Sequence, residues 1–199
     1  MLFRSAAHTD AIKLNPALWY RIKTIYQNKS SLNEEDAWLT EKYYKDFLHA
    51  GADLSQNARA RVMEINEELS ALETKFSQDL LADTNDHAIF VDTVSGLDGL
   101  SDGEIAAAKA AAQSRGKDDK WMVAMVNFTG NPVLSSLKNR KLREKIMKAS
   151  LVKANQDNEK DTKLTLIKMV TLRAERSKLF GFKNHAEYVI SAQTAGNAT

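Results

Sequence analysis

The stretch Ser55–Asp83 (SQNARARVMEINEELSALETKFSQDLLAD) decides the fold class of this chain. Its apolar residues recur at steps of three and four, and they are Val62, Ile65, Leu69, Leu72, Phe76 and Leu80. Residues at this spacing lie on one face of an α-helix, and the charged residues of the stretch fall elsewhere. The pattern predicts one long amphipathic helix that packs in a bundle. Its heptad-like repeat is too short to indicate a coiled coil.

The segment before this stretch predicts a helical hairpin. Asn15-Pro16 combines a capping residue with the residue favoured at the first helical position, which predicts a helix to about Gln27. Asn33 is the expected cap of a second helix that ends before Gly51. The apolar positions at helical spacing are Leu18, Ile22 and Ile25 in the first helix and Leu39, Tyr43 and Phe47 in the second.

The last third of the chain also predicts helices. Asn131-Pro132 repeats the start signal and leads into a helix over 140–154, followed by a long helix over about 157–180 with Gly181 as its C-cap. The apolar residues expected to face the core are Leu142, Ile146 and Met147 in the first of these helices and Leu164, Ile167, Val170 and Ala174 in the second.

Between these helical parts, two short apolar runs favour strands buried on both faces, at about 88–92 and 121–127. Ser101 and Glu104 form a capping-box pattern that opens an Ala-rich helix over 105–114. The order strand, helix, strand predicts a parallel pair with a right-handed crossover. Buried helix remains the alternative for such short runs.

These patterns predict a mainly α fold: a helical bundle with a minor two-stranded β element. We expect a single domain over 1–199, with a helical hairpin and long helix at 15–83, a strand–helix–strand insert at 84–130 and a helical part at 131–199. No internal repeat and no low-complexity linker divides the chain.

Composition excludes several function classes. The chain has no cysteine, which removes disulfides, thiolate nucleophiles and Cys-ligated zinc. It has no run of eighteen apolar residues, and its opening MLFRSAAHTD is too short and too polar for a secretory h-region, so we expect no secretory leader and no membrane partner. Residues 138–148 carry six basic residues against one acid, but the aromatic platforms of single-strand binding are missing there. With a net charge of +2, we expect no nucleic-acid partner.

Catalytic motifs are missing as well. The four histidines are His8, His49, His87 and His185, and none of them stands in the His-Glu-x-x-His spacing of a zinc peptidase helix. His185 and Glu187 match the first half of a zinc deaminase pattern, whose second half requires cysteines. We interpret them as the first turn of a helix capped by Asn184. We therefore predict no catalytic, cofactor-binding or metal-ligating residue in this chain.

Six phrases, in order across residues 43–193, nevertheless resemble one family. They include Gly51-Ala-Asp-Leu-Ser55, Asn66-Glu-Glu-Leu-Ser70 with its continuation to Leu81, Leu97-Asp-Gly-Leu100, Asn139-Arg-Lys-Leu-Arg143, and Leu172–Phe182 running into His185-Ala-Glu-Tyr188. Asp79 stands where that family usually has Asn, and Ser177 where it usually has Ala. The order is similar to that of the Dcp-like peptidyl-dipeptidases and the related thimet oligopeptidases, a family of zinc metallopeptidases.

The resemblance implies a segment of the N-terminal lobe of a longer, largely helical enzyme, forming part of a substrate-channel wall. Such enzymes cut oligopeptides or release C-terminal dipeptides, use zinc and contain a His-Glu-x-x-His helix that has no counterpart here. We expect this chain alone to be inactive and to bind no zinc. The implied partners are oligopeptide substrates and the catalytic part of the same polypeptide, with self-association through uncovered apolar surface along 164–174 or after Asn184.

The implied compartment is the cytoplasm, with the periplasm as the alternative. From a different class of function, the residues also allow a free-standing helical interaction module without enzymatic activity. Such a module would use the stripe from Val62 to Leu80 to bind a partner helix.

Overall fold

The computed structural model describes residues 2–125 and 127–196, and for residues 2–5 and 127–131 it describes the backbone alone. The described chain is mainly α-helical with one two-stranded sheet, which confirms the predicted fold class. The elements in chain order are α1 (Leu2–Lys13), α2 (Pro16–Gln27), α3 (Glu34–Ala50), α4 (Gln56–Asp86), β1 (Ile89–Val91), α5 (Asp102–Gln113), β2 (Trp121–Val123), α6 (Asn127–Ser136), α7 (Arg140–Leu151), α8 (Lys163–Leu179) and α9 (His185–Ile190).

Local capping interactions place most helix starts where the sequence predicts them. The Asn15 side chain accepts from the backbone N–H groups of Ala17 and Leu18, and the Asn33 side chain accepts from that of Asp36. The Ser101–Glu104 capping box opens α5 with both of its hydrogen bonds present. Each side chain satisfies an N–H group that has no partner within its own helix, which defines the helix start.

The described chain divides into two compact units. The first comprises the described residues up to Lys75 together with those from Thr165 onward, and the second comprises 76–164. The prediction of a single domain over 1–199 stays a prediction. Among the described helices, none combines the length and apolar character that crossing a membrane would require.

In the first unit, α4 buries Val62, Ile65 and Leu69, each at most 3% exposed. A separate apolar cluster is formed by Trp19, Phe47 and Ala52, with Ile22 and Tyr44 packed against it. Three ion pairs join α4 to α8 within this unit, and they are Arg61–Glu175, Glu68–Lys168 and Glu73–Arg173. The first half of the predicted stripe is therefore buried in the core, whereas Leu72, Phe76 and Leu80 in its second half are only partly buried.

In the second unit, the core lies between the sheet, α5, α6 and α7. Its buried residues are Ile89, Leu97, Ala108, Val123, Met125, Val133, Leu137, Leu142 and Ile146. The prediction that Leu142 and Ile146 face inward is confirmed, whereas Met147 is 47% exposed.

The predicted parallel strand pair is wrong. β1 and β2 are antiparallel, with Ile89 opposite Val123 and Val91 opposite Trp121. The chain therefore enters β2 at the end of the sheet where it left β1. The intervening segment contains a 3₁₀ turn, Val94–Leu97, in addition to α5. With this extra segment the connection can turn back, so that β2 starts at the end of the sheet where β1 stops. In a parallel pair the connection would have to run to the opposite end of the sheet.

Several predicted boundaries and faces are also corrected. β2 ends at Val123 and α6 begins at Asn127, before the expected Asn131 cap; Val126, within the predicted strand, lies outside the described residues. The expected core residues Leu164, Ile167 and Val170 are 80%, 61% and 56% exposed. The buried residues of α8 are instead Thr165, Met169, Leu172 and Ser177. Helical spacing identifies which residues share an apolar face, but contacts with neighbouring elements decide which face of the helix is buried.

α8 also begins six residues later than predicted, because local hydrogen bonds hold the preceding residues in a turn. The Asp161 carboxylate accepts from the backbone N–H groups of Lys163 and Asp157, each 2.8–2.9 Å away. These bonds, with that of Lys163 the largest contribution, lower the pKa of Asp161 to about 2. Ala154 and Asp157 have positive φ angles of 48° and 53°, which are incompatible with a continuing right-handed helix.

A buried carboxylate anchors this turn within the second unit. Asp83 is fully buried, and one of its oxygens accepts the Ala154 N–H at 2.7 Å. Its other oxygen lies 3.4 Å from the Gln156 amide nitrogen and 3.3 Å from His87 Nδ1. A buried acid is tolerated when its oxygens are hydrogen-bonded, so this cluster is structural.

Replacing Asp83 tests this role. We expect Asp83→Ala to lower the free energy of unfolding by about 1–3 kcal/mol, since the buried Ala154 N–H would lose its acceptor. Asp83→Asn keeps one acceptor oxygen and should cost less. Urea unfolding followed by circular dichroism measures both variants. Equal stabilities of Asp83→Ala and the unaltered chain would contradict the assignment.

Candidate functional site

His185 and Glu187, the residues of the deaminase-like pattern, lie in the first turn of α9. The Asn184 side chain accepts the Glu187 N–H at 2.9 Å, and the Glu187 carboxylate accepts the Lys183 N–H at 3.3 Å. These bonds confirm the predicted cap. His185 Nδ1 is buried and has no hydrogen-bond partner among the described residues. The motif is a helix start, which leaves its functional interpretation without support.

Within the first unit, Tyr188 connects α9 to α3 and α8. The Tyr188 ring stacks on His49 at 4.2 Å between centroids and on Phe180 at 4.8 Å. Its hydroxyl donates to the carbonyl oxygen of His49 at 3.1 Å, and the Arg176 guanidinium lies 5.7 Å from its ring centroid. Burial raises the pKa of Tyr188, so the phenol stays neutral near pH 7. We call Tyr188, His49, Phe180 and Arg176 the Tyr188 cluster.

Gly51 allows Phe180 to approach the end of α3. Gly51 caps α3 with a φ angle of 101°, in the region that favours glycine. A Cβ atom at this position would lie 2.6 Å from Phe180 Cε1 and 2.9 Å from Leu54 Cδ1. The glycine therefore serves both the turn and the packing beside it.

A large concave surface of the first unit lies beside the Tyr188 cluster. It is a groove of about 1130 Å³ between the outer side of α3, the turn after Gly51 and the segment around α9. We call it the lysine-rimmed groove. Its large apolar lining residues are Trp38, Leu48, Leu54, Phe180 and Phe182, and its charged lining residues are Lys13, Lys42, Lys45, Glu41, Asp46 and Asp53.

The carboxylates of this groove are each approached by more than one donor. Glu41 accepts from Lys29 at 2.7 Å and lies 2.6 Å from Lys45, and these contacts lower its pKa to about 2, with the Lys29 hydrogen bond the largest cause. One oxygen of Asp46 faces Lys42 at 3.5 Å and Lys13 at 4.0 Å. Glu41 thus keeps its charge at any ordinary pH.

Asp53, which also lines the groove, has two donors as well. One of its oxygens accepts from Lys23 Nζ at 2.8 Å and from Trp19 Nε1 at 3.1 Å. The Lys23 hydrogen bond is the largest cause of the lowered pKa of Asp53. Since Trp19 is buried, this contact links the groove to the core.

A second polar network in the first unit joins Arg176, Asn66 and Asp10, although the buried Arg176 Nε has no hydrogen-bond partner among the described residues. Arg176 Nη1 donates to the side-chain oxygen of Asn66 at 2.8 Å, and the Asn66 amide donates to Asp10 at 3.0 Å. Burial raises the pKa of Asp10, while Asn66 and Arg176 oppose the shift. These groups line a small pocket of about 330 Å³. Because they bind one another, we assign this network a structural role.

The other candidates also have structural contacts. His87 contacts Asp83 and Gln156 in the second unit. Ser135 donates to the Pro132 carbonyl oxygen, and Lys138, three residues further along the chain, pairs with Asp98. Among the described residues, no three His, Asp or Glu side chains gather where a metal could be held. The prediction that the chain has no site residues stays a prediction.

The basic segment 138–148 lies mainly in α7. Arg143 donates to the carbonyl oxygens of Leu137 and Lys138 at the end of α6, and Lys148 pairs with Glu144 at 2.6 Å. Leu142 and Ile146 are buried. This arrangement is that of an amphipathic helix with a charged outer face.

Sequence reasoning missed the lysine-rimmed groove. Its lining residues come from four separate stretches of the chain, and no short motif joins them. One available signal was the lysine spacing in α3, where Lys42 and Lys45 stand one turn apart beside Glu41.

We expect the two histidines near Tyr188, His49 and His185, to make the stability of the fold depend on pH. The pKa values of His49 and His185 are lowered, and burial is the largest cause for both. The nearby charge of Arg176 lowers both pKa values further, and Arg173 also lowers that of His185. Asp46 opposes the shift of His49. Below the ordinary value of 6.5, the unfolded chain therefore binds more protons than the fold. We expect the free energy of unfolding to fall as the pH is lowered through this value towards the lower pKa of the folded state.

Urea unfolding between about pH 7.5 and 5.5 measures this dependence, within the range where unperturbed histidine titrates. The double variant His49→Gln/His185→Gln should show a smaller loss of stability on acidification. His8→Gln is the matched control, because His8 is exposed. An unchanged slope in the double variant would contradict the prediction.

Comparison with known proteins agrees with the resemblance found in the sequence. Residues 133–199 match the model of Peptidase family M3. The chain is 33% identical to the dipeptidyl carboxypeptidase of Escherichia coli K12 over 186 residues, which is 92% of this chain and 27% of that protein. Its identity to the dipeptidyl carboxypeptidase of Salmonella typhimurium is also 33%, over 96% of this chain and 28% of that protein.

A plant relative extends the same similarity. The chain is 27% identical to the probable cytosolic oligopeptidase A of Arabidopsis thaliana over 172 residues, 83% of this chain and 24% of that protein. The chain thus spans about a quarter of the length of the curated relatives it matches. We conclude that this chain carries a region of peptidase family M3 and, over most of its own length, is similar to the dipeptidyl carboxypeptidases.

Proposed function

We propose that this chain is the non-catalytic N-terminal region of a zinc metallopeptidase that hydrolyses oligopeptides by releasing C-terminal dipeptides. The observation that carries the proposal is the 33% identity to two dipeptidyl carboxypeptidases over at least 92% of the chain. The sequence itself contains no His-Glu-x-x-His motif. Zinc and the general base would come from other parts of the polypeptide.

Within such an enzyme, we propose that the chain forms part of the wall of the substrate channel. The lysine-rimmed groove supports this role, because its volume of about 1130 Å³ lies just above the roughly 300–1,000 Å³ of pockets for small ligands. Its lining combines large apolar side chains with charged groups, as peptide recognition requires. The working compartment we propose is the cytoplasm, with the periplasm as the alternative.

A free-standing interaction module is the second candidate. One observation disfavours a module that binds its partner through the α4 stripe. Val62, Ile65 and Leu69 are at most 3% exposed, so the first half of the stripe that was to bind a partner helix is already buried within the fold. The exposed apolar residues lie elsewhere, for example Ile167 and Val170 on α8, both more than half exposed. This surface supports the proposal that the chain self-associates.

Zinc content and activity of the purified chain test the non-catalytic role. We expect no stoichiometric zinc by elemental analysis, since the sequence lacks both cysteine and the paired histidines of a peptidase helix. We also expect no hydrolysis of a blocked oligopeptide in the presence of added zinc. One tightly held zinc per chain, or hydrolysis that a chelator abolishes, would contradict the proposal.

The gene that encodes the chain separates the two candidate functions. We expect its reading frame to continue past Thr199 and to encode His-Glu-x-x-His, because the matched relatives are about four times longer than the aligned region. Sequencing the downstream DNA checks this expectation. A stop codon directly after Thr199 would favour the interaction module.

A further inference from the structure

The charged residues that line the groove balance, three lysines against three carboxylates, but two further lysines pair with these carboxylates from outside the lining. Five lysines share three carboxylates there: Lys29 and Lys45 approach Glu41, Lys13 and Lys42 approach Asp46, and Lys23 approaches Asp53. This set has an excess of two positive charges. An incoming carboxylate would therefore meet an attractive potential at this rim.

Glu41 and Asp46 each face two lysines, and the two lysines at Asp46 are held less tightly. Lys42 and Lys13 lie 3.5 and 4.0 Å from the same oxygen of Asp46, which is longer than the 2.7–2.9 Å typical of a charge-assisted hydrogen bond. The ammonium groups near Glu41 and Asp53 are at 2.6–2.8 Å and are held more tightly. Lys42, whose side chain is 56% exposed, is thus the ammonium group most open to another anion.

Apolar side chains lie in the same groove. Trp38 is 65% exposed and Leu48 is 43% exposed, although both belong to a concave surface. A large exposed apolar side chain at a groove commonly marks a binding surface, because covering it removes apolar area from water. A ligand that carries an apolar side chain beside a carboxylate would satisfy both features at once.

The volume of the groove sets the size of that ligand. About 1130 Å³ exceeds the space that one side chain or a small anion fills, and it suits several residues of a peptide. The residues that line the groove all belong to the first unit.

We propose that the lysine-rimmed groove binds acidic oligopeptides, specifically segments in which an Asp or Glu residue is next to an aromatic or large apolar residue. The acidic side chain contacts Lys42, and the apolar side chain packs against Trp38 and Leu48. This inference rests on the proposed function, because it names the class of oligopeptide that the region recognises. The groove holds the peptide, and the bond cleavage takes place elsewhere.

Binding through exposed lysines has a characteristic signature. Charge pairs at a protein surface are screened within about 8–10 Å at physiological salt, so the affinity should fall when sodium chloride is raised to about 0.5 M. The apolar contact with Trp38 is much less sensitive to salt. Acidic peptides should therefore lose affinity with salt, while the weaker binding of neutral analogues should change little.

The test uses the full chain and three short peptides, each acetylated at the N-terminus and amidated at the C-terminus so that the side chain supplies the carboxylate. The peptides are Gly-Phe-Glu-Gly, Gly-Phe-Gln-Gly and Gly-Ala-Glu-Gly. Binding is followed by NMR through the indole N–H of Trp38, assigned with Trp38→Phe. We expect the Phe-Glu peptide to bind most tightly, since it alone has both recognised groups.

Lys42→Gln tests the charge contact. Removing one exposed charge pair should weaken binding of the Phe-Glu peptide about two- to five-fold and leave the Phe-Gln peptide unchanged. Lys117→Gln, in a turn of the second unit, is the matched control and should leave the affinity unchanged. Thermal unfolding by circular dichroism checks that both variants keep the fold.

Equal binding of the Glu and Gln peptides, equal effects of Lys42→Gln and Lys117→Gln, or no saturable shift of the Trp38 indole would each overturn the inference. None of these results bears on the zinc content of the chain or on its downstream reading frame. A failure of peptide binding is thus distinguishable from a failure of the proposed function.

Discussion

The burial of one stripe on α4 is the constraint on which the first unit depends. Val62, Ile65 and Leu69 are removed from water almost completely, and each such side chain contributes roughly 1.5–3 kcal/mol relative to exposure. The flanks of the stripe carry charges that pair with α8, among them the two-pronged contact of Arg61 with Glu175 at 2.7 and 2.9 Å. Exposed pairs of this kind add little energy, so they orient α8 more than they stabilise it.

With α8 in this orientation, its C-terminal end can receive the last described helix. Phe180 stacks on Tyr188, which in turn stacks on His49 at the end of α3. The close approach of Phe180 requires a residue without Cβ at position 51. The groove beside this cluster is thus a consequence of packing between distant segments. Its lysines are a separate feature, because exposed charges contribute little to that packing.

Much of the fold could be predicted because its signals are local. Five capping side chains each accept from a backbone N–H group within three residues, and they are Asn15, Asn33, Ser101, Asn139 and Asn184. Four of them are the caps that the sequence predicts, and Asn139 directly precedes the predicted start of its helix at residue 140. The start of α8 was missed for an equally local reason: Asp161 and its neighbours form a turn whose hydrogen bonds compete with the helix. The direction of β2 was missed because short strands carry no sign of orientation.

The sequence by itself determined the helical class, most helix boundaries and the lack of a zinc peptidase motif. These follow from periodicity, caps and spacing, which involve neighbours along the chain. Only the tertiary structure decided that Ile167 and Val170 are exposed while Met169 and Leu172 are buried. It alone decided that Asp83 is a buried anchor and that lysines from several segments surround one groove. These properties depend on which distant surfaces meet, and helical spacing carries no information about that choice.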